Sequence, residues 1–376
     1  MGKNKICLAM IVKNEEQDIR RCLDSVKDHI DYWVISDTGS EDNTKQLIQE
    51  IMDGHGVPGE LHEHKWKDFS TNRNYVLELA KEHGDFVWFM DADDNFVPQS
   101  KRPLNALDKD EHEGACIEFQ VSGYKFTRNC IVNVKHNWAY HGVLHEVLMI
   151  DGEPTPTPQI ANCHIVARSS PTKRAETEEE KYRQDAKILL REYKKDPSNT
   201  RTIFYLAQSY RDCGEHAKAI KYYKERLKHP DKGFKDELEI SAIELTKGMV
   251  KLGKSPADCL YWAMKAWEYN PYRIEPAILL MEIYMMQDMY FAAFAIGQAA
   301  SGISDPNKVG LHHNNYDRKV RFRAHYSYAC YRIGLYNLSV ANMENVLKEE
   351  MTEEERQSHE RHYKVYKEAM EKALDQ

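Results

Sequence analysis

The sequence has no surplus of positive charge, no apolar stretch of membrane-spanning length, no closely paired cysteines and no apolar leader. Lys and Arg number 52 against 60 Asp and Glu in 376 residues, a formal charge of −8. A protein held mainly by a nucleic-acid backbone needs a basic surface instead. The longest uncharged stretch, Met289 to Ser304, is too short for a membrane helix and is broken by Gln and Gly. Lys3 and Lys5 lead directly into a strand-like run, which is not the pattern of a secretory signal. Eight cysteines lie between Cys7 and Cys330 without a CxxC pair. That spacing predicts reduced, mostly buried thiols and a cytoplasmic chain, not a disulfide framework or a zinc site. With 41% hydrophobic and 30% charged residues, the chain reads as globular and soluble, with room for two or three domains.

The first ninety residues alternate strand and helix signals. Ile6 to Val12 is a continuous apolar run, as expected of a strand buried on both faces of a parallel sheet. Asn14, with Gln17 three residues on, predicts a capped helix carrying Ile19, Leu23, Val26 and Ile30 on one face. Tyr32 to Ser36 reads as a second strand, Thr44 to Met52 as a helix and Leu61 as the centre of a short strand. A further helix begins at Asp68 or Ser70, and Asp85 to Met90 is a strand that stops at Asp91-Ala-Asp-Asp94. Shorter β segments follow at Cys116–Val121, Ile131–Val134, Val147–Ile150 and Ile160–Val166. Repeated β-α-β units imply an open, mostly parallel α/β sheet. In such sheets ligands bind beyond the carboxyl ends of the strands. Asn14-Glu15, Asp37 and Asp91–Asp94 all follow strand ends and are expected on one rim.

The boundary of this domain falls near Ser169–Thr172, giving 1–170 and 171–376. Beyond it, Thr172 to Lys195 is a charged helix with one apolar stripe. Thr202 to Pro230 places Leu206-Ala207, Tyr210, Gly214, Ala219 and Tyr223 at tetratricopeptide spacing. Weaker copies run through Leu280-Met281, Tyr284 and Ala293, and through His325 to Leu347 with Gly334 at the turn. An all-α, tetratricopeptide-like repeat domain is the expectation, with Met281 to Met289 in its core.

Asp91-Ala92-Asp93 is the central chemical signal. Two carboxylates one residue apart after a strand can reach a divalent cation and the sugar side of a nucleotide. Together, Met10-Ile-Val-Lys-Asn-Glu-Glu16, Asp37-Thr-Gly-Ser-Glu-Asp-Asn-Thr44, Thr71-Asn-Arg-Asn74 and Asp91-Ala-Asp-Asp94 resemble the family 2 glycosyltransferases of the GT-A fold over about residues 5–166. The chain is particularly similar to the branch with a tetratricopeptide-like C-terminal half. Trp138-Ala-Tyr-His-Gly-Val-Leu-His-Glu146 and Asn162-Cys-His-Ile165 resemble later motifs of that branch.

The resemblance implies a metal-dependent, inverting, hexosyl-type transferase acting on a nucleotide sugar, UDP-linked by expectation. Val12, Asn14, Glu15 and Asp37 would hold the base and ribose. Arg73 would contact the nucleotide or its diphosphate, and Asp91 and Ala92 would lie near the ribose. Asp93 would bind Mn²⁺ or Mg²⁺, helped by Asp94 or His164. Glu146 would act as general base, while Asp94, Trp138 and His145 would face the acceptor or the sugar. The family's usual base is an aspartate, and this chain has a glutamate there.

The remaining His pairs have plainer readings. His141 and His145 fall in a strand or loop where a spacing of four does not converge, and His62 and His64 lack a third ligand. Competing functions are a sugar-nucleotide pyrophosphorylase and a catalytically inactive tetratricopeptide scaffold. The first needs a Gly-rich loop where Lys13-Asn-Glu-Glu16 stands. Neither the sugar nor the acceptor (glycan, lipid-linked glycan, protein hydroxyl or cysteine thiol) is written in these motifs. Self-association through the helical repeats is a further expectation.

Overall fold

The computed structural model describes residues 4–121, 124–168, 177–303 and 316–375. Two compact units divide the chain, Met1–Thr177 and Glu178–Gln376. The boundary expected at Ser169–Thr172 lies outside the described residues, as does the start of the helix expected from Thr172.

The first unit contains strands β1 (Ile6–Val12), β2 (Tyr32–Asp37), β3 (Gly59–Glu63), β4 (Phe86–Phe89), β5 (Asn95–Pro98), β6 (Gly114–Val121), β7 (Tyr124–Asn133), β8 (Trp138–His141), β9 (Val147–Ile150) and β10 (Gln159–Val166). Helices α1 (Ile19–Val26), α2 (Thr44–His55) and α3 (Phe69–Ala80) connect the early strands. One sheet runs β3-β2-β1-β4-β7-β6-β10-β5, and β8 and β9 form a separate hairpin. The β3-β2-β1-β4 half is parallel. In the other half β7 runs antiparallel to both β4 and β6, and β5 antiparallel to β10.

Burial on both faces explains the apolar run of β1. Leu8 and Met10 enter the core on one side, with Trp33, Trp88 and α1. Cys7 and Ala9 enter the other, with Val76, Leu77 and Trp138. The capping expected of Asn14 is overturned: its φ is +55°, and α1 starts only after Asp18, whose side chain makes no cap. At α3 the cap is as expected, since Asp68 Oδ1 accepts from Thr71 N at 2.7 Å.

The second unit is helical throughout its described residues. The helix pair Thr200–Asp212 and His216–Arg226 turns at Gly214 (φ +78°), and Phe322–Arg332 and Tyr336–Val346 turn at Gly334 (φ +81°). The pair Glu275–Met285 and Tyr290–Ala300 turns at Asp288 instead. A fourth pair, Lys235–Lys251 and Pro256–Tyr269, has no counterpart in the sequence reading. Close approach also needs small residues: a Cβ on Gly297 would overlap the Tyr326 ring. Met281 is buried in this unit's core, but Met286 is 72% exposed and Met289 is exposed too. The methionine run is therefore only partly core.

Candidate active site

The carboxyl ends of β1 and β2 are laced into one rim. Thr38 donates to the Val12 carbonyl from both N and Oγ1, at 2.9 and 3.0 Å. Asn14 N donates to Ser40 Oγ, and Asn14 Oδ1 accepts from Glu41 N. Glu15 N donates to Thr44 Oγ1 at 2.7 Å. Asp37 Oδ1 accepts from Gly39 N and Ser40 N, whereas its buried Oδ2 has no hydrogen-bond partner. An orphan carboxylate oxygen costs free energy unless a donor reaches it, so it marks a place for a ligand N–H or O–H. Val12 is buried with its carbonyl doubly engaged, and so contributes wall rather than a hydrogen bond.

The acidic turn after β4 is pinned from α1. Arg21 Nη2 donates to the Asp93 carbonyl at 2.6 Å, and Cys22 Sγ donates to the Asp91 carbonyl at 3.4 Å. Asp94 N closes the turn on Asp91 O. Ala92 packs its methyl into the core, leaving Asp91 and Asp93 half-buried on either side.

Arg73 ties this turn to a residue far along the chain. Its Nη2 donates to Asp91 Oδ1 at 2.7 Å and its Nε to Glu146 Oε1 at 2.9 Å. Burial works against its charge, but Asp91, Tyr140 and Glu146 outweigh it, so the guanidinium is held protonated. Its neighbours in the helix complete the clamp. Asn74 exchanges two hydrogen bonds with the Tyr140 backbone, fixing the β8–β9 hairpin to α3. Asn72 donates to His64 Nδ1. His62 Nε2 lies 3.2 Å from Glu60 Oε2, and His64 stacks on Tyr75.

A second arginine, absent from the sequence reading, completes the group. The antiparallel register that pairs Trp88 with Ile131 carries β7 back past the end of β4 to Arg128. Its Nη1 and Nη2 reach Asp91 Oδ2 at 3.5 and 3.3 Å, and Nη2 lies 4.0 Å from Asp94 Oδ2. Burial alone would raise the Asp91 carboxyl; the charges of Arg73 and Arg128 hold it well below the usual carboxylate range. Asp94 moves the opposite way, pushed up to about 7 by burial and then by the Asp91 charge. Nothing local in the sequence signals Arg128, because its position depends on a strand pairing made over a long chain separation.

Asp91, Asp93, Asp94, Arg73 and Glu146 thus come together, with His145 exposed in the turn just before Glu146 at φ +53°. Trp138 does not join them. It is 1% exposed, its Nε1 donates to Glu113 O, and it packs in the core, so it cannot meet an acceptor or sugar. His164 pairs with Val97 on β5, roughly 10 Å of strand beyond Asp94, and its Nδ1 is buried without a hydrogen-bond partner. Among the described residues no group of three or more His, Cys, Asp or Glu converges as a metal site.

Mg²⁺ commonly binds through one or two carboxylates together with substrate phosphates, and needs no protein cage. Asp94 Oδ2, buried without a hydrogen-bond partner beside Asp93, fits that donor chemistry. A cavity of about 660 Å³ lined by Asn4, His29, Arg102 and His112 opens near the start of β1. That is the opposite end of the strand from the acidic turn, and the cavity contains none of these groups.

Residues 7–131 match the model of glycosyl transferase family 2. The SPbeta prophage-derived glycosyltransferase SunS of Bacillus subtilis is 26% identical over 242 residues, 62% of this chain and 55% of that protein. A TPR repeat-containing protein of Synechococcus elongatus is 35% identical over 108 residues, 28% of this chain and 25% of that protein. The chain thus spans about half the length, or less, of these curated relatives. The crystal structure of S. aureus TarS superposes with a TM-score of 0.36 at 11% identity, covering 80% of this chain and 93% of that one. The chain carries a family 2 glycosyltransferase domain in its N-terminal unit, followed by an all-helical unit similar to tetratricopeptide repeat proteins.

Proposed function

We propose that the chain moves a hexosyl group from a nucleotide sugar, UDP-linked, to a glycan, peptide or protein acceptor with inversion at the anomeric carbon. The observation that carries this reading is the sharing of one buried guanidinium, Arg73, between Glu146 and the acidic turn. Inverting transfer calls for a base carboxylate held beside the donor-binding turn.

Glu146 takes the proton of the acceptor nucleophile as that atom bonds to the anomeric carbon. The bond from that carbon to the diphosphate oxygen breaks, and its electron pair leaves with the diphosphate. Arg73 acts as a positioning residue that orients Glu146, because its Nε is on Glu146 while its Nη2 is anchored on Asp91. Asp37 Oδ2, with Asn14 and Glu15 beside it, receives the base or ribose. Asp93 and Asp94 hold Mn²⁺ or Mg²⁺, which when bound offsets the charge of the departing diphosphate.

The helical unit, similar to tetratricopeptide repeat proteins, is proposed to receive a macromolecular acceptor. All eight cysteines are free and buried, which supports a reducing, cytoplasmic setting. The test is UDP release from a panel of UDP-sugars with Mn²⁺ or Mg²⁺ and with candidate acceptors. Release from at least one donor is expected, and silence across the panel sinks the proposal.

A further inference from the structure

The two arginines on Asp91 are built differently. Arg73 is 8% exposed in its side chain and bonds at 2.7 and 2.9 Å to two carboxylates. Arg128 is 41% exposed and reaches Asp91 only at 3.3 and 3.5 Å, the weak end of the hydrogen-bond range. Its guanidinium carbon lies 4.3 Å from the centroid of the Phe119 ring, and Phe119 in turn stacks on Phe126. The stack supports the guanidinium from below without using its N–H groups, which leaves the planar fork available to an anion.

If Arg128 turned away, Asp91 would not become an unpaired buried charge, because Arg73 stays on its other oxygen. Exchanging the two long Asp91 contacts for short charge-assisted bonds to phosphate is therefore favourable.

We infer that Arg128 is the specificity residue for the donor's diphosphate, leaving Asp91 to form a bidentate contact with the β-phosphate. The inference rests on the donor-binding reading above and adds to it the residue that tells a nucleoside diphosphate from a nucleoside. Arg73, committed to Asp91 and Glu146, does not take that part. The Asp91 contact keeps Arg128 aimed at the rim while the donor is absent.

The experiment is calorimetric titration of uridine and of UDP, with Mg²⁺ and with chelator, onto the full chain and its Arg128→Met and Arg128→Lys variants. The expected result is a loss of about ten- to hundredfold in UDP affinity for Arg128→Met, with uridine affinity unchanged. Arg128→Lys should recover only part of the loss, since an ammonium cannot fork. An unchanged ratio of UDP to uridine affinity overturns the inference while leaving the donor reading intact. Equal weakening of both ligands also overturns it, by making Arg128 a support of the turn. If the unaltered chain binds neither ligand, the donor reading falls and this inference falls with it.

Discussion

Both units bury arginine against carboxylate, to opposite ends. In the helical unit Arg226 is fully buried, with Nε on Glu237 and its other nitrogens on the carbonyls of His229, Lys232 and Phe234. Glu237 also accepts from Arg201. This network closes the connection before the Lys235–Lys251 helix, where Gly233 at φ +72° has no room for a Cβ beside Thr200. In the N-terminal unit the corresponding network is left open. Asp94 Oδ2 and Asp37 Oδ2 lack hydrogen-bond partners, and Arg128 sits half-exposed on long contacts. Neither buried charge nor an unpartnered oxygen identifies a site by itself, since Glu275 Oε2 in the helical unit is also buried without a hydrogen-bond partner; in the first unit the unpartnered carboxylates coincide with the strand-end rim where ligands bind.

The comparison can be broken at either end. The largest effect is expected at Glu146: replacement by Gln should lower transfer about 10²- to 10⁴-fold while UDP affinity is kept. Full turnover in that variant would move the base elsewhere. Arg226→Met should cost about 3–5 kcal/mol of stability, because buried Glu237 keeps only Arg201 and the carbonyls of His229, Lys232 and Phe234 lose a donor. Chemical denaturation would measure this, and adding Glu237→Leu should restore only part of it, since the three carbonyls stay without the Arg226 donor. A neutral Arg226→Met would show that the closed network is not structural. Trp138→Phe should cost about 1–3 kcal/mol, because the smaller ring leaves space in the core and the Glu113 carbonyl keeps only Asn133 N as donor, with acceptor KM unchanged. A raised KM at normal stability would return Trp138 to the site. Smallest of all, Met286→Ser should change stability by no more than about 0.5 kcal/mol, as expected of an exposed position.

The parts legible in sequence were those with a local physical cause. β1, β2 and β4 announce themselves because strands buried on both faces need unbroken apolar runs, and the strand-end rule then places Asp37 and Asp91–Asp94 on one rim. Glu146 was legible only through its resemblance to a motif; what brings it to Asp91 is Arg73, with Asn74 fixing the hairpin. The rest depended on distant pairing. β5 is four residues long and ends in Pro98, and as an edge strand it is recognisable only once β10 lies beside it. Arg128 follows from the β4–β7 register. Asn14 misled because Asn suits both a helix cap and the left-handed conformation it adopts here. Trp138, in an aromatic run beside His141 and His145, resembled a ligand platform but fills the core.

The central claim is that the acidic turn holds a nucleoside diphosphate together with a divalent cation. Calorimetric titration of UDP with Mn²⁺ onto the unaltered chain and onto Asp93→Asn tests it most directly. The account predicts saturable binding that weakens at least about tenfold in Asp93→Asn and to a similar degree on chelation. Equal UDP affinity in both proteins, or none in either, would contradict it.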